Sequence, residues 1–216
     1  MILGAAEAGA VSRGHLASAV EWMRSREVDY LVSVASGKPE SRRAEAWLEE
    51  HGFERDSTAR SYARPASRPA GRDGEPVEVR RLTPESMEEM TFICAETFEV
   101  SDLATIMLIG LPALHGWRCY AAYLDDGEMA CAAMMVAGEV AMLGLDATRP
   151  AARRRGCQSA LIHRRLVGAA ETRCHVVLAE VCDDHFERAA AAGNLRRAGF
   201  VEVGHSMSWG RPDILV

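Results

Sequence analysis

An arginine-rich turn between a predicted strand and a predicted helix constrains this chain more than any other feature. Residues 140–145 predict the strand, Thr148 and Pro150 are predicted to lie in the turn, and Arg153-Arg154-Arg155-Gly156 leads into the helix. The first N–H groups of a helix lack partners within it, and the helix dipole places about half a positive charge there. Gly156 has no Cβ, so another molecule can approach its backbone closely. The stretch therefore predicts an anion site suited to a pyrophosphate.

The helix after this turn is predicted to be amphipathic. Its apolar residues fall on one face at a spacing of about 3.6 residues. These residues are Cys157, Leu161, Ile162, Leu166 and Ala169. Arg164 and Arg165 are predicted to lie off that face, in solvent.

The turn does not match the common nucleotide-binding loops, because it has neither Gly-Lys-Ser/Thr nor Gly-x-Gly-x-x-Gly. It resembles the acyl-CoA loop of the GNAT-type N-acetyltransferases, whose motif is Arg/Gln-x-x-Gly-x-Gly/Ala. Arg153 and Gly156 match that motif, whereas Gln158 replaces its last small residue. A glutamine there either hydrogen-bonds the cofactor or crowds it. The alternative interpretation of the turn is an arginine-rich, solvated helix start.

The predicted order of elements supports the resemblance over residues 77–212. The order is strand, two helices, three strands, helix, strand, helix and a final strand or pair of strands, as in the GNAT fold. It predicts an α/β (mixed α+β) protein, with a central mixed sheet covered by helices on both faces. The segment from Asn194 to Gly199-Phe200 is similar to the Asn…Gly-Phe helix end of that family.

Residues 1–64 are predicted to form a smaller unit, and the Pro- and Gly-rich residues 65–76 a linker to a GNAT domain at 77–216. Gly52-Phe53 and Gly199-Phe200 are separated by 147 positions, and Ser61–Pro65 aligns with Ser208–Pro212 at the same offset. We interpret residues 1–64 as a degenerate, partial GNAT-like module that lacks a CoA loop. The alternative is chance similarity between two helix ends.

The resemblance implies acetyl-CoA as co-substrate, held between the strands at 139–145 and 175–181. It implies a backbone N–H near Leu145 or Asp146 that polarises the thioester carbonyl, and direct attack by the amine of a small molecule. The cofactor-binding residues that it implies are Leu145, Asp146, Ala147, Thr148, Arg153, Arg154, Arg155, Gly156, Cys157, Gln158, Ser159 and Asn194.

Acid and base residues are less well defined by the sequence. Glu180 is the candidate general base on the strand at 175–181, and its alternative role is a solvated strand-end carboxylate. Many family members have a tyrosine as general acid where this chain has Leu195. Gln158 and Leu195 therefore favour a second hypothesis, a non-catalytic tandem GNAT-like module that binds CoA or a partner. The Arg-x-x-Gly loop favours the acyltransferase.

Composition narrows the remaining classes. The net charge of −6 disfavours a nucleic-acid partner, and the six cysteines contain no C-x-x-C pair, so free thiols and no metal site are expected. Cys182-Asp183-Asp184-His185 is interpreted as a capping loop, with a nucleophile or metal site as the alternative. The N-terminus lacks signal-peptide features and no apolar run has membrane-spanning length. We therefore expect a cytoplasmic monomer or homodimer.

Overall fold

The computed structural model describes residues 13–25, 30–37, 39–69, 77–98, 108–124, 127–183 and 188–211. Its helices are α1 (Arg13–Arg24), α2 (Pro39–Glu50), α3 (Met87–Phe98), α4 (Cys157–Glu171) and α5 (Arg188–Arg197). Its strands are β1 (Val32–Ala35), β2 (Glu54–Pro65), β3 (Glu78–Arg81), β4 (Trp117–Leu124), β5 (Gly127–Ala137), β6 (Val140–Thr148), β7 (Val176–Cys182) and β8 (Val201–Gly210). Short 3₁₀ helices cover Pro84–Ser86, Leu111–Ala113 and Pro150–Ala152.

The described strands form one mixed sheet in the order β1-β8-β2-β7-β6-β5-β4-β3. The pairs β3–β4, β4–β5 and β5–β6 are antiparallel. Short turns join β4 to β5 and β5 to β6, as is usual for antiparallel hairpins. The strands β6 and β7 are parallel, as expected for two strands linked through a helix. The predicted fold class, a mixed α+β sheet with helices, is confirmed.

The helices α3 and α4 cover opposite faces of the β4–β6 hairpins. Alternate residues of a strand point to opposite faces. Cys119 and Cys131 therefore join a buried cluster with Met90 and Ile93 of α3. On the other face a Cβ at Gly168 of α4 would lie 3.1 Å from the Tyr120 hydroxyl. This arrangement gives the predicted sheet with helices on both faces.

The chain divides into two compact units. The first comprises Met1–Ser61, Val181–Arg188 and Glu202–Val216, and the second comprises Tyr62–Glu180 and Ala189–Val201. In the first, apolar residues of α1 are buried with β1 and α2 in a cluster that includes Leu16, Val20, Val32, Trp47, Leu48, Phe53 and Trp209. The sequence-based division into 1–64, 65–76 and 77–216 stays a prediction.

Element boundaries agree with the sequence patterns in most places. The strand β2 continues to Pro65, and the N–H of Ala66 donates to the His175 carbonyl at 3.0 Å, so ordered pairing extends into the predicted linker. Thr148, predicted to lie in a turn, is the last residue of β6. The sequence also predicts a hairpin turn at residues 125–127 and a helix at residues 103–109. Residues 125–126 and most of this helix lie outside the described residues. Among the described helices, none combines the length and apolarity that a membrane crossing requires.

Candidate functional site

The parallel strands β6 and β7 separate part of the way along their length. They are paired from Val140 with Val176 to Leu143 with Ala179. Beyond these pairs β6 continues to Thr148 and β7 to Cys182. Among the described residues, the edge of β6 after Leu143 is no longer paired with β7. An extended ligand can pair with such a strand edge as an added strand does.

A β-bulge lies on β6 where this separation begins. Cys131 of β5 pairs with Ala147, but Ala133 pairs with Gly144, so two residues of β6 face a single residue of β5. The two residues of β6 in the bulge are Leu145 and Asp146. Leu145 has a left-handed φ of 54°. A bulge interrupts the regular hydrogen bonds between two strands. Leu145 and Asp146, whose N–H groups are predicted to polarise the thioester carbonyl, therefore lie where the pairing of β6 with β5 is interrupted.

The arginine-rich turn ends at the first residue of α4. Arg154 and Gly156 have left-handed φ values of 62° and 90°, and Gly156 is the N-cap of the helix, without a side-chain cap. Arg154, Arg155 and Gly156 are exposed. Among the described residues, a Cβ placed on Gly156 would have only Val77 within 4 Å, at 3.9 Å, which leaves room for a ligand to approach the helix start. Uncapped amides beside exposed guanidinium groups suit a diphosphate.

Cys157 contributes its backbone and not its thiol to this helix start. Its side chain is only 1% exposed, as its position on the apolar face of the helix predicts. Burial raises the pKa of the Cys157 thiol, so its neutral form is favoured. A thiolate nucleophile at this helix N-terminus is therefore not supported.

Gln158, Ser159 and Asn194 come together between the start of α4 and α5. The Asn194 amide donates to the Gln158 side-chain oxygen. The Asn194 oxygen accepts from the Ser159 hydroxyl at 3.5 Å and from Arg197. Gln158, the departure from the family motif, thus contacts a second predicted cofactor-binding residue directly.

Glu180 follows immediately after Ala179, the last residue of β7 that pairs with β6. Its side chain is exposed, whereas Leu195 is only 5% exposed and packs in the core. The structure therefore places a carboxylate beside the strand separation and an apolar side chain at the family's tyrosine position.

Arg165 is a residue for which the sequence-based interpretation was wrong. It was expected in solvent, yet its side chain is completely buried. Its guanidinium forms a two-pronged ion pair with Asp146, including Nη1 to Oδ2 at 2.8 Å. The signal was present, because Arg165 follows Leu161 by four positions and Ile162 by three, which places it on the apolar face.

The Cys182–His185 segment has a structural role where it is described. The Asp183 carboxylate accepts a hydrogen bond from the Arg60 guanidinium at 2.8 Å. The backbone N–H of Asp183 donates to the Thr58 carbonyl at 2.7 Å. Asp184 and His185 lie outside the described residues. Within the part of the chain that the structure describes, no group of three or more His, Cys, Asp or Glu residues has an arrangement for a metal ion.

Solved structures share this architecture. A GCN5-related N-acetyltransferase from Kribbella flavida superposes with a TM-score of 0.70 at 15% identity, covering 93% of this chain and 75% of that one. A GCN5-related N-acetyltransferase from Sphaerobacter thermophilus gives 0.60 at 18% identity, covering 90% and 65%. A functionally unknown conserved protein from Staphylococcus epidermidis gives 0.61 at 13% identity, covering 92% and 80%.

At the level of sequence, no protein-family model and no curated protein matches the chain. The structural likeness, at 13–18% identity, is one of fold. The chain has the fold of the GCN5-related N-acetyltransferases, as the sequence resemblance predicted.

Proposed function

We propose that the protein is an acyl-CoA-dependent N-acetyltransferase that transfers the acetyl group of acetyl-CoA to the amine of a small molecule. The observation that carries this proposal is the separation of β6 from β7 after Leu143 and Ala179. It occurs in the same compact unit as an uncapped helix start bearing Arg154, Arg155 and Gly156. Together these features suit a ligand with an extended arm and a diphosphate.

Each part of acetyl-CoA has a proposed place. The diphosphate binds the backbone and guanidinium groups of residues 153–159. The pantetheine arm pairs with the free edge of β6 as an added strand, along Ala147 and Thr148. Asn194 either hydrogen-bonds this arm or holds the end of α5. An amide of the Leu145–Asp146 bulge donates to the thioester oxygen, where negative charge develops.

The proposed reaction is direct transfer. The amine lone pair attacks the thioester carbon, and the carbonyl electrons move to the oxygen. The C–S bond then breaks, the amide forms, and CoA leaves as a thiolate. Glu180 accepts the proton that the amine nitrogen loses, directly or through a water molecule. Leu195 carries no proton, so the thiolate departs without a donor at that position.

Calorimetric titration of the full chain with acetyl-CoA tests the binding step. Release of free thiol over a panel of small amines then tests the transfer. We expect one binding event per chain and thiol release that depends on the amine. Absence of binding would refute the proposal.

A substitution at Glu180 tests whether this residue is the general base. Glu180→Gln is expected to lower kcat/KM by about 100-fold with an unchanged Kd for acetyl-CoA, because it removes the proton acceptor and leaves the strand intact. Glu171→Gln, at an exposed position at the end of α4, is the matched control. Equal effects of the two substitutions would exclude Glu180 as the base.

A second candidate function is a non-catalytic module that binds CoA. The burial of Leu195 at the tyrosine position and the contact between Gln158 and Asn194 favour it. Binding of acetyl-CoA without amine-dependent thiol release would select this candidate over the enzyme.

A further inference from the structure

Arg165 is a fully buried cation whose partners outside its own helix all lie beside the β6 bulge. A buried guanidinium must satisfy its N–H donors, because an unpaired charge in the interior is costly. Its Nε donates to the Leu161 carbonyl at 3.1 Å, within α4. Its Nη1 donates to the carbonyls of Ala133 at 2.9 Å and Gly144 at 3.4 Å, and both terminal nitrogens bind Asp146.

These acceptors surround the β6 bulge. Ala133 and Gly144 form the last regular pair before it, and Asp146 belongs to the bulge itself. A single guanidinium therefore joins β5 to β6 at the place where their ladder is interrupted. Leu145, between Gly144 and Asp146, has the left-handed φ of 54°, which costs about 1 kcal/mol or more for a residue with a Cβ. The contacts on either side of Leu145 hold it in that conformation.

We propose that Arg165 is a positioning residue that fixes the β6 bulge, and with it the amides that receive the thioester oxygen. This inference rests on the proposed function. Arg165 is 0% exposed and does not reach the substrate, so it acts through Asp146 and the β6 backbone. Asp146 has a side chain that is 24% exposed, so the pair links the helix interior to the partly open face of the bulge.

The planar fork of arginine is required for this role. Lysine keeps the charge but cannot bind both carboxylate oxygens and a carbonyl in one plane. In Arg165→Lys we therefore expect the bulge amides to lose their orientation while the core keeps its charge balance. Arg164→Lys is the matched control. It is the same chemical change one residue earlier, where the guanidinium stacks 5.6 Å from the Tyr120 ring centre and not on the bulge.

The test uses infrared spectra of acetyl-CoA labelled with ¹³C at the thioester carbonyl, bound to the full chain without an acceptor. In the wild type and in Arg164→Lys, hydrogen bonding to the bulge shifts the carbonyl band to lower wavenumber than in water-free reference solvent. In Arg165→Lys we expect this shift to be lost while the calorimetric Kd is retained. With an accepted amine, kcat is expected to fall by about 100-fold at unchanged KM, the size found for loss of one oxyanion donor.

Asp146→Asn provides a second route if Arg165→Lys fails to fold, because it weakens the same ion pair without a change in volume. The same loss of the carbonyl shift is expected. A carbonyl band in folded Arg165→Lys or Asp146→Asn equal to that of the wild type would overturn the positioning role and leave the proposed function standing. Failure of the wild type to bind acetyl-CoA would overturn both.

Discussion

The N-terminal arm (α1, β1, α2, β2) and the C-terminal arm (α4, β7, α5, β8) have the same order of elements, but in the sequence only the second is preceded by an Arg-x-x-Gly motif. The strands β2 and β8 begin 147 residues apart, at Glu54 and Val201. This is the offset that the sequence shows. The identity of the N-terminal arm as a degenerate module stays a prediction.

The two arms share the hydrogen bonds that end a helix and lead to a strand. The N–H of Phe53 donates to Leu48 at 3.0 Å, and the N–H of Phe200 donates to Leu195 at 3.1 Å. A backbone contact between strand ends repeats as well. The N–H of Ser36 donates to the His205 carbonyl at 2.8 Å, and the N–H of Asp183 donates to the Thr58 carbonyl at 2.7 Å. Asp183 is equivalent to Ser36, and His205 to Thr58, at the offset of 147. The repeated sequence therefore specifies backbone geometry in both arms.

The side chains at equivalent positions differ in a way that separates packing from binding. Asn194 of α5 is half-buried and hydrogen-bonded to Gln158. The equivalent Trp47 of α2 is 6% exposed and stacks on His51 with ring centres 3.9 Å apart. The same helix end is therefore compatible with either a polar cluster or a buried aromatic side chain.

The largest expected effect comes from Gly156→Glu at the start of α4. It places a carboxylate beside the proposed diphosphate, and such like-charge contacts cost several kcal/mol. Affinity for acetyl-CoA measured by calorimetry should fall by at least about 100-fold. Gly37→Glu in the N-terminal arm is the control, because Gly37 has a similar φ of 96° and no described residue lies within 4 Å of its Cβ position. Unchanged affinity in Gly156→Glu would remove the functional contrast between the arms.

Trp47→Ala tests whether the N-terminal arm contributes to stability without contributing to cofactor binding. Loss of this buried aromatic should lower the free energy of unfolding by about 3 to 5 kcal/mol, measured by urea denaturation. The Kd for acetyl-CoA of the folded protein should stay the same. Trp22→Ala, in the same arm but 55% exposed, should change stability by no more than about 0.5 kcal/mol. Weaker cofactor binding in folded Trp47→Ala would contradict the interpretation that this arm has no part in CoA binding.

Alkaline pH should destabilise the region that contains the cysteines, all of which follow residue 77. Burial raises the pKa of the Cys119 thiol to about 11. An unfolded thiol titrates near about 8.5, so between these values the unfolded chain has lost a proton that the folded chain keeps. Stability therefore falls as pH rises, by at most about 1.4 kcal/mol per pH unit for this group.

Chemical denaturation between about pH 8 and pH 10.5 measures this slope. Cys119→Ala should flatten it, whereas Cys182→Ala should not, because Cys182 is the exposed thiol among the six. A slope that is the same in Cys119→Ala and in the wild type would show that another group causes the alkaline loss.

The smallest effects are expected at the paired glycines that end α2 and α5. Gly52 and Gly199 have φ values of 77° and 85°, and no described atom lies closer than 3.8 Å to a Cβ placed at either position. Alanine at each position should cost about 1 kcal/mol from backbone strain alone. Thermal unfolding of both variants checks this. A clear difference between them would show that the two helix ends are not energetically equivalent.

Much of the fold was predictable because its signals are local. The apolar spacing of Leu161 to Ala169 predicts α4, and the alternating or β-branched runs predict β3 and β7 within two residues. Gly52 and Gly199 mark helix ends, since each has the left-handed conformation that glycine adopts most easily. The turn at Gly156 was predictable for the same reason.

Two features of the site depended on residues far apart in the sequence. The place where β6 leaves β7 follows from strand register, which no local pattern specifies. The burial of Arg165 was missed because charge alone was taken to indicate solvent, although its spacing matched the apolar face. Its partners Ala133 and Asp146 belong to the strands β5 and β6, whereas Arg165 itself lies in α4.

The amino-acid sequence by itself determined most of the helices and strands, and which helix start carries arginines and a glycine. These properties depend on side-chain periodicity and on backbone preferences within a few residues. Only the tertiary structure decided which strand edges stay open, and that a buried guanidinium spans the bulge beside them. Both depend on the pairing of distant segments, since a carbonyl or a carboxylate becomes an acceptor for Arg165 only after the sheet and α4 have packed together.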